Sequence, residues 1–148
     1  KPTCMDRKDF ISTMGFTVAA VCTGCLAACS KSGGTSGGGT GGTNPPASVN
    51  FSLDLNNQLL NVGDVQVSNG VIVARIASGN TTSAFTAVQV ACTHEGTSIN
   101  YVAAQNQFVC PLHGSTFTTS GSVVVGPATR SLKKYTITIT GTTLTVTG

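Results

Sequence analysis

Tryptophan is missing from this chain, and most kinds of charge are nearly so: only 9% of its 148 residues are Asp, Glu, Lys or Arg. The net charge of +3 is too weak to suggest nucleic-acid binding. From Ala47 onward the carboxylates are Asp54, Asp64 and Glu95, too few and scattered for an acid–base catalytic pair. Helix-favouring Glu, Lys and Leu are scarce, while Gly and Thr are abundant, a balance that favours strands and turns. Against these shortages stand six cysteines, unevenly placed. Cys4, Cys22, Cys25 and Cys29 lie near the N-terminus, and only Cys92 and Cys110 fall in the region that reads as folded. A disulfide framework would spread its pairs through the domain, so one Cys92–Cys110 bridge is the most that pattern allows.

The first 29 residues have the parts of an export signal. Met5 precedes a charged stretch, Asp6-Arg7-Lys8-Asp9, and a mildly apolar run from Phe10 to Ala28 ends in Leu26-Ala27-Ala28-Cys29. Leu-Ala-Ala-Cys resembles the bacterial lipobox, which makes Cys29 the lipidation candidate. Arg7-Lys8-Asp9-Phe10-Ile11 resembles a twin-arginine signal with Lys at the second basic position, a route used by proteins exported after folding. A retained membrane helix is the alternative, since the run is 19 residues long, but Ser12, Thr13, Gly15, Thr17, Thr23 and Gly24 make it weakly apolar. Cys22 and Cys25 within it read as small apolar residues rather than a redox pair.

Residues 30–47 are a Gly/Ser/Thr/Pro linker whose composition gives a coil with a root-mean-square span of roughly 20–25 Å. Residues 48–148 form one β-rich domain. Short period-two segments are separated by turn signals at Asn56-Asn57, Ser68-Asn69-Gly70, Ser78-Gly79-Asn80 and Gly141. The pattern predicts strands at Phe51–Leu55, Asp64–Val67, Gly70–Ala77, Ala84–Ala91, Ile99–Ala103, Gln107–Cys110, Ser115–Thr118, Lys134–Thr140 and Thr143–Thr147, the last two as a hairpin. The expected fold is all-β, a small antiparallel sandwich or barrel. No helix and no internal repeat is expected.

Both histidines lie beside the two cysteines of this domain: Cys92-Thr93-His94, fifteen residues, then Cys110-Pro111-Leu112-His113-Gly114-Ser115. Each cluster offers one thiolate and one imidazole. A zinc-finger site usually takes a cysteine pair from one segment and a histidine pair from another. The mixed pairing suits a binuclear iron–sulfur centre better, with thiolates on one iron and imidazoles on the other. Zinc, a fold without a cluster, and a Cys92–Cys110 disulfide remain the alternatives.

In these residues the chain resembles the Rieske [2Fe–2S] family. Cys92-Thr93-His94-Glu95-Gly96 is similar to the family's first box and Cys110-Pro111-Leu112-His113-Gly114-Ser115-Thr116-Phe117 to its second. Gly121, Gly126-Pro127-Ala128 and Leu132 resemble the proline loop that covers the cluster, and the likeness runs from Val62 to Gly148. It implies a Rieske-type β-fold with a cluster-binding subdomain. It also implies one [2Fe–2S] cluster per chain, ligated by Cys92, His94, Cys110 and His113, with the imidazoles as the electron exit. Members from cytochrome bc complexes carry one more cysteine in each box, bridging the loops; Thr97 and Leu112 stand there, so that bridge cannot form. High-potential members place serine and tyrosine hydroxyls on the cluster sulfurs. Ser115 holds the serine position as a tuning residue, whereas Phe117 holds the tyrosine position without a hydroxyl. The implied potential lies between the family extremes.

With both histidines taken as ligands, no base is left for a nucleophile, and there is no independent catalytic site. The two further histidines and carboxylate of a mononuclear oxygenase iron are absent from the sequence. The expected function is one-electron transfer by a carrier tethered to a membrane through a lipid or its N-terminal segment. Its location would be the periplasm or cell envelope of a bacterium, and its partners cytochromes or a quinol-oxidising complex. The alternative is a subunit of such a complex.

Overall fold

The computed structural model describes residues 44–148. The expected export segment with Cys29, and the expected linker up to residue 43, lie outside the described residues. Among the described residues no helix is long and apolar enough to cross a membrane.

Among the described residues, ten strands make three antiparallel sheets. The first joins β1 (Asn50–Asp54), β10 (Thr143–Thr147) and β9 (Thr136–Thr140), with β10 in the middle. The Thr/Ile and Thr/Leu/Val alternation puts Leu144 and Val146, both fully buried, on the inner face and the threonines outward. Gly141, at φ +59°, allows the two-residue turn between β9 and β10.

The second sheet contains β2 (Val65–Ser68), β3 (Val71–Arg75) and β4 (Phe85–Gln89). Its Asn69-Gly70 turn has positive φ at both residues, as a type I′ hairpin requires. β3 and β4 are buried along their whole length because both faces are covered. Val71, Val73, Phe85 and Ala87 pack with Leu53, Tyr135, Leu144 and Val146. Ile72, Ala74 and Val88 pack in a second core with Cys92, Phe108, Cys110 and Phe117.

The third sheet is a meander of β5 (Asn100–Val102), β6 (Gln107–Val109), β7 (Thr116–Thr118) and β8 (Val123–Val125). Phe108 and Phe117 are direct cross-strand partners and both fully buried, each worth roughly 1.5–3 kcal/mol of apolar burial. Their pairing fixes the register of β6 and β7, and so the length of the loop joining them.

The all-β expectation holds; among the described residues the helical content is one 3-10 turn, Thr82–Ala84. β8 was not among the expected strands. Its three valines lie where the family likeness points to a loop, and Val124 and Val125 are exposed on an edge strand, so no alternation marks them.

Candidate metal centre

The two cysteine–histidine clusters form equivalent loops. Residues 92–97 connect the antiparallel bridge Ala91↔Ser98, and residues 110–115 connect the pair Val109↔Thr116. In each, the cysteine N–H donates to the carbonyl five residues on, Thr97 at 2.8 Å and Ser115 at 2.8 Å. In each, a glycine N–H donates back to the cysteine carbonyl, Gly96 at 2.8 Å and Gly114 at 3.0 Å. Both glycines have positive φ, +78° and +74°, a conformation that costs other residues dearly. Although no repeat is expected from the sequence, the structure shows a local one: Cys92-Thr93-His94-Glu95-Gly96-Thr97 and Cys110-Pro111-Leu112-His113-Gly114-Ser115 close the same way. The shared signal is cysteine and glycine four apart, too short to stand out as a periodicity.

The loops bring His94 to His113 and Cys92 to Cys110. Cys92 and Cys110 are buried and free of disulfide bonding. Burial pushes the Cys92 thiol above its ordinary range, and the neighbouring Cys110 adds to the shift, while backbone N–H groups of His94 and Glu95 pull it back. A buried thiolate with its N–H donors in place lacks only a cation. The side chains of His94 and His113 are 31% and 42% exposed. Their Nδ1 atoms stand 3.2 Å apart, with the rings at 78°. Two nitrogens bound to one metal at about 2.1 Å in tetrahedral geometry lie about 3.4 Å apart. The imidazole pair thus fits one metal ion, and the same two loops offer a buried thiol pair for another.

Ser115 is fully buried, and its Oγ accepts the Ala128 N–H at 3.0 Å. Among the described residues no acceptor is found for its hydroxyl proton, which leaves that proton to donate elsewhere. Phe117 packs in the core. Leu112 is 53% exposed at the loop tip, and the Thr97 carbonyl closes the first loop.

Two participants were not singled out from sequence. Glu95 is exposed. Its carboxylate nevertheless lies 3.9 Å from His94 Nε2 and 3.8 Å from His113 Nδ1. Thr93, between Cys92 and His94, donates its hydroxyl to the Arg130 carbonyl at 2.5 Å. Glu95 was discoverable as the neighbour of a ligand candidate. Thr93 was not, because its partner lies 37 residues away.

The family model of the Rieske [2Fe-2S] domain matches residues 52–136, more than half of the chain. The cytochrome b6-f complex iron-sulfur subunit 2 of Synechocystis sp. PCC 6803 is 30% identical over 92% of this chain and 80% of its own length. The corresponding subunit of Chlorobaculum thiosulfatiphilum is 39% identical over 45% of this chain; the match spans only 37% of that protein. Among solved structures, the plasma membrane Rieske protein PetC3 of Synechocystis PCC 6803 superposes with a TM-score of 0.53 at 31% identity, covering 66% of this chain and 97% of that one. The ferredoxin of carbazole 1,9a-dioxygenase from Nocardioides aromaticivorans, at 22% identity and a TM-score of 0.50 over 70% of this chain and 97% of that one, shares the fold.

Proposed function

Because this chain belongs to the Rieske [2Fe–2S] family, and so transfers single electrons through a [2Fe–2S] cluster, we propose that Cys92 and Cys110 ligate one iron and His94 and His113 the other. The observation that carries the assignment is the 3.2 Å approach of the two Nδ1 atoms, made by the same two loops that bury the Cys92 and Cys110 thiols. The cluster supplies the one-electron chemistry. The chain does the rest. The cysteine loops bury the sulfur side away from water, and the half-exposed imidazoles carry the electron route to the surface. Nδ1 of each ring would hold the iron, which would leave Nε2 to carry the ring proton. Ser115, with its hydroxyl proton uncommitted, would supply a donor that stabilises the reduced, more negative state of a bound cluster.

The domain occupies residues 48–148, the tether 30–47 and the export signal 1–29. Cys29 carries the lipid, which holds the carrier on the outer face of the bacterial cytoplasmic membrane. The Leu-Ala-Ala-Cys sequence and the Gly/Ser/Thr/Pro run support this reading. The names of the b6-f relatives support a quinol-oxidising membrane complex as the partner. Thr97, Leu112 and Phe117 favour a separate carrier over a resident subunit. Copurification with a cytochrome b from detergent-solubilised membranes would reverse that preference.

Anaerobic purification, dithionite reduction and electron paramagnetic resonance test the centre. A Rieske-type signal that disappears in Cys92→Ser and His113→Ala is expected. A colourless protein holding stoichiometric zinc would refute it. Mass spectrometry of the membrane-extracted protein tests Cys29: a diacylglyceryl-modified N-terminal cysteine is expected, and an unmodified mature chain would defeat the lipid anchor.

A further inference from the structure

The described residues contain four Lys or Arg side chains: Arg75, Arg130, Lys133 and Lys134. Arg75 is 8% exposed, with its guanidinium donating to the carbonyls of Leu59 at 2.7 Å and Gly79 at 2.9 Å, so it presents little charge outward. The Asp54 and Asp64 carboxylates are engaged in their own turns by Asn56 and Asn61. Glu95 lies against the imidazoles. Arg130, Lys133 and Lys134 therefore face no carboxylate within ion-pair distance among the described residues.

Arg130 and Lys133 do not simply stand in a solvated turn. They line one notch of about 220 Å³ together with Thr93, Ser131, Gln89 and Pro45. Lys134, next in sequence, lines a different groove beside Phe85 and Ile137. The walls of the notch are fixed. Thr93 holds the Arg130 carbonyl. Gln89 Oε1 accepts the Lys133 N–H at 2.9 Å, and the Gln89 N–H donates to the Lys133 carbonyl at 2.9 Å. The Lys133 ammonium donates to the Pro46 carbonyl at 3.2 Å and lies 4.8 Å over the Tyr135 ring, keeping further N–H donors. One wall, Thr93, separates Cys92 from His94.

We propose that this notch is the docking point for carboxylate side chains of the protein that exchanges electrons with this chain. The inference rests on the electron-carrier reading and deepens it by naming the chemistry of the partner's face: acidic, beside its own redox centre. A concave site lined by Arg130 and by the held ammonium of Lys133, with Thr93 of the first ligand loop as one wall, suits a side chain projecting from a protein. Opposite charge here raises the encounter rate and fixes which end of the domain meets the partner, an effect that salt suppresses. An anionic lipid surface would be drawn to the same charges without any need for them to border the cluster.

The test compares two forms of one acceptor, unmodified cytochrome c and cytochrome c whose lysines have been succinylated to carboxylates. Each is reduced by the dithionite-reduced full-length chain in stopped flow, at low and at high ionic strength. At low ionic strength the succinylated form is expected to react about tenfold faster than it does with the Arg130→Gln/Lys133→Gln double variant. High salt is expected to erase the difference. The unmodified cytochrome should not be slowed by the substitutions, and Lys134→Gln, on the other groove, should retain most of the advantage. Equal loss in Lys134→Gln, or no loss in the double variant, would overturn the notch. So would substitutions that abolish cosedimentation with phosphatidylglycerol vesicles yet leave the cytochrome rates unchanged. The Rieske-type resonance signal is recorded for every variant. Its absence from the parent protein would bring down the functional reading as a whole; its presence without any carboxylate preference would bring down the docking site alone.

Discussion

The hydroxyl of Thr93 donates to the carbonyl of Arg130, tying the first ligand loop to the segment that covers it. Ser115 ties the second loop to the same segment by accepting the Ala128 N–H. The covering segment is thereby pinned at two points, one per loop. Ala128 and Leu132 turn inward with it, at 3% and 4% exposure.

Thr93→Val keeps the side-chain shape and deletes the donor. A cost of about 1 kcal/mol in folding is expected, but the larger effect should fall on the cluster, since water gains access when the covering segment loosens. Bleaching of the visible absorbance in air should be several-fold faster than in the parent. Equal half-lives would show that the Ser115 tie suffices.

Ser115→Ala removes the hydroxyl whose proton is free to reach the cluster, and the reduction potential should fall. Phe117→Tyr adds a hydroxyl at the position where high-potential relatives carry one, and the potential should rise. Redox titration reads both. Shifts of the same sign in the two variants would reject the roles given to these side chains.

Burial raises the Cys92 thiol pKa above its ordinary 9.0 in the cluster-free chain. A group raised in the folded state lends stability that is present below its unfolded pKa and is lost as pH climbs through the folded one. The cluster-free protein should therefore weaken in denaturant melts as pH passes upward from about 9.0. Cys92→Ser should flatten that decline. Tyr101 and Tyr135 are raised by burial as well, and their contribution has the same sign but sets in at higher pH. Cluster assembly needs thiolates, so reconstitution from iron and sulfide should improve over the same rise in pH.

Arg75 has a structural role. Its guanidinium joins the carbonyls of Leu59 and Gly79 and lies 5.1 Å over the Phe85 ring. Arg75→Met strands those carbonyls while filling similar space, and a loss of about 2–3 kcal/mol in chemical unfolding is expected. The resonance spectrum of the surviving folded fraction should be unchanged, because Arg75 lies outside the ligand loops.

Much of this protein is written locally. Period-two alternation in Thr136–Thr140 and Thr143–Thr147 specifies strands whatever they pack against, and Asn69-Gly70 and Gly141 specify tight turns because their backbone angles suit few other residues. The four candidate ligands were legible for a similar reason. Thiol and imidazole at short fixed spacing are chemically distinctive, and the only two histidines of the chain stand beside them.

Tertiary structure decided what depends on partners far along the chain. The double burial of β3 and β4 arises because separate cores cover their two faces, a fact no alternation records. β8 exists because Thr116 and Phe117 offer it an edge. The equivalence of the two ligand loops depends on the bridges that close them, and the approach of His94 to His113 depends on that equivalence. Thr93 with Arg130, Ser115 with Ala128, and Lys133 with Gln89 are pairs 37, 13 and 44 residues apart. Sequence by itself determined which atoms could hold the cluster; the packing of the sheets determined that the thiols are dry, that the imidazoles reach solvent, and that Thr93 of the first ligand loop shares a notch with Arg130 and Lys133.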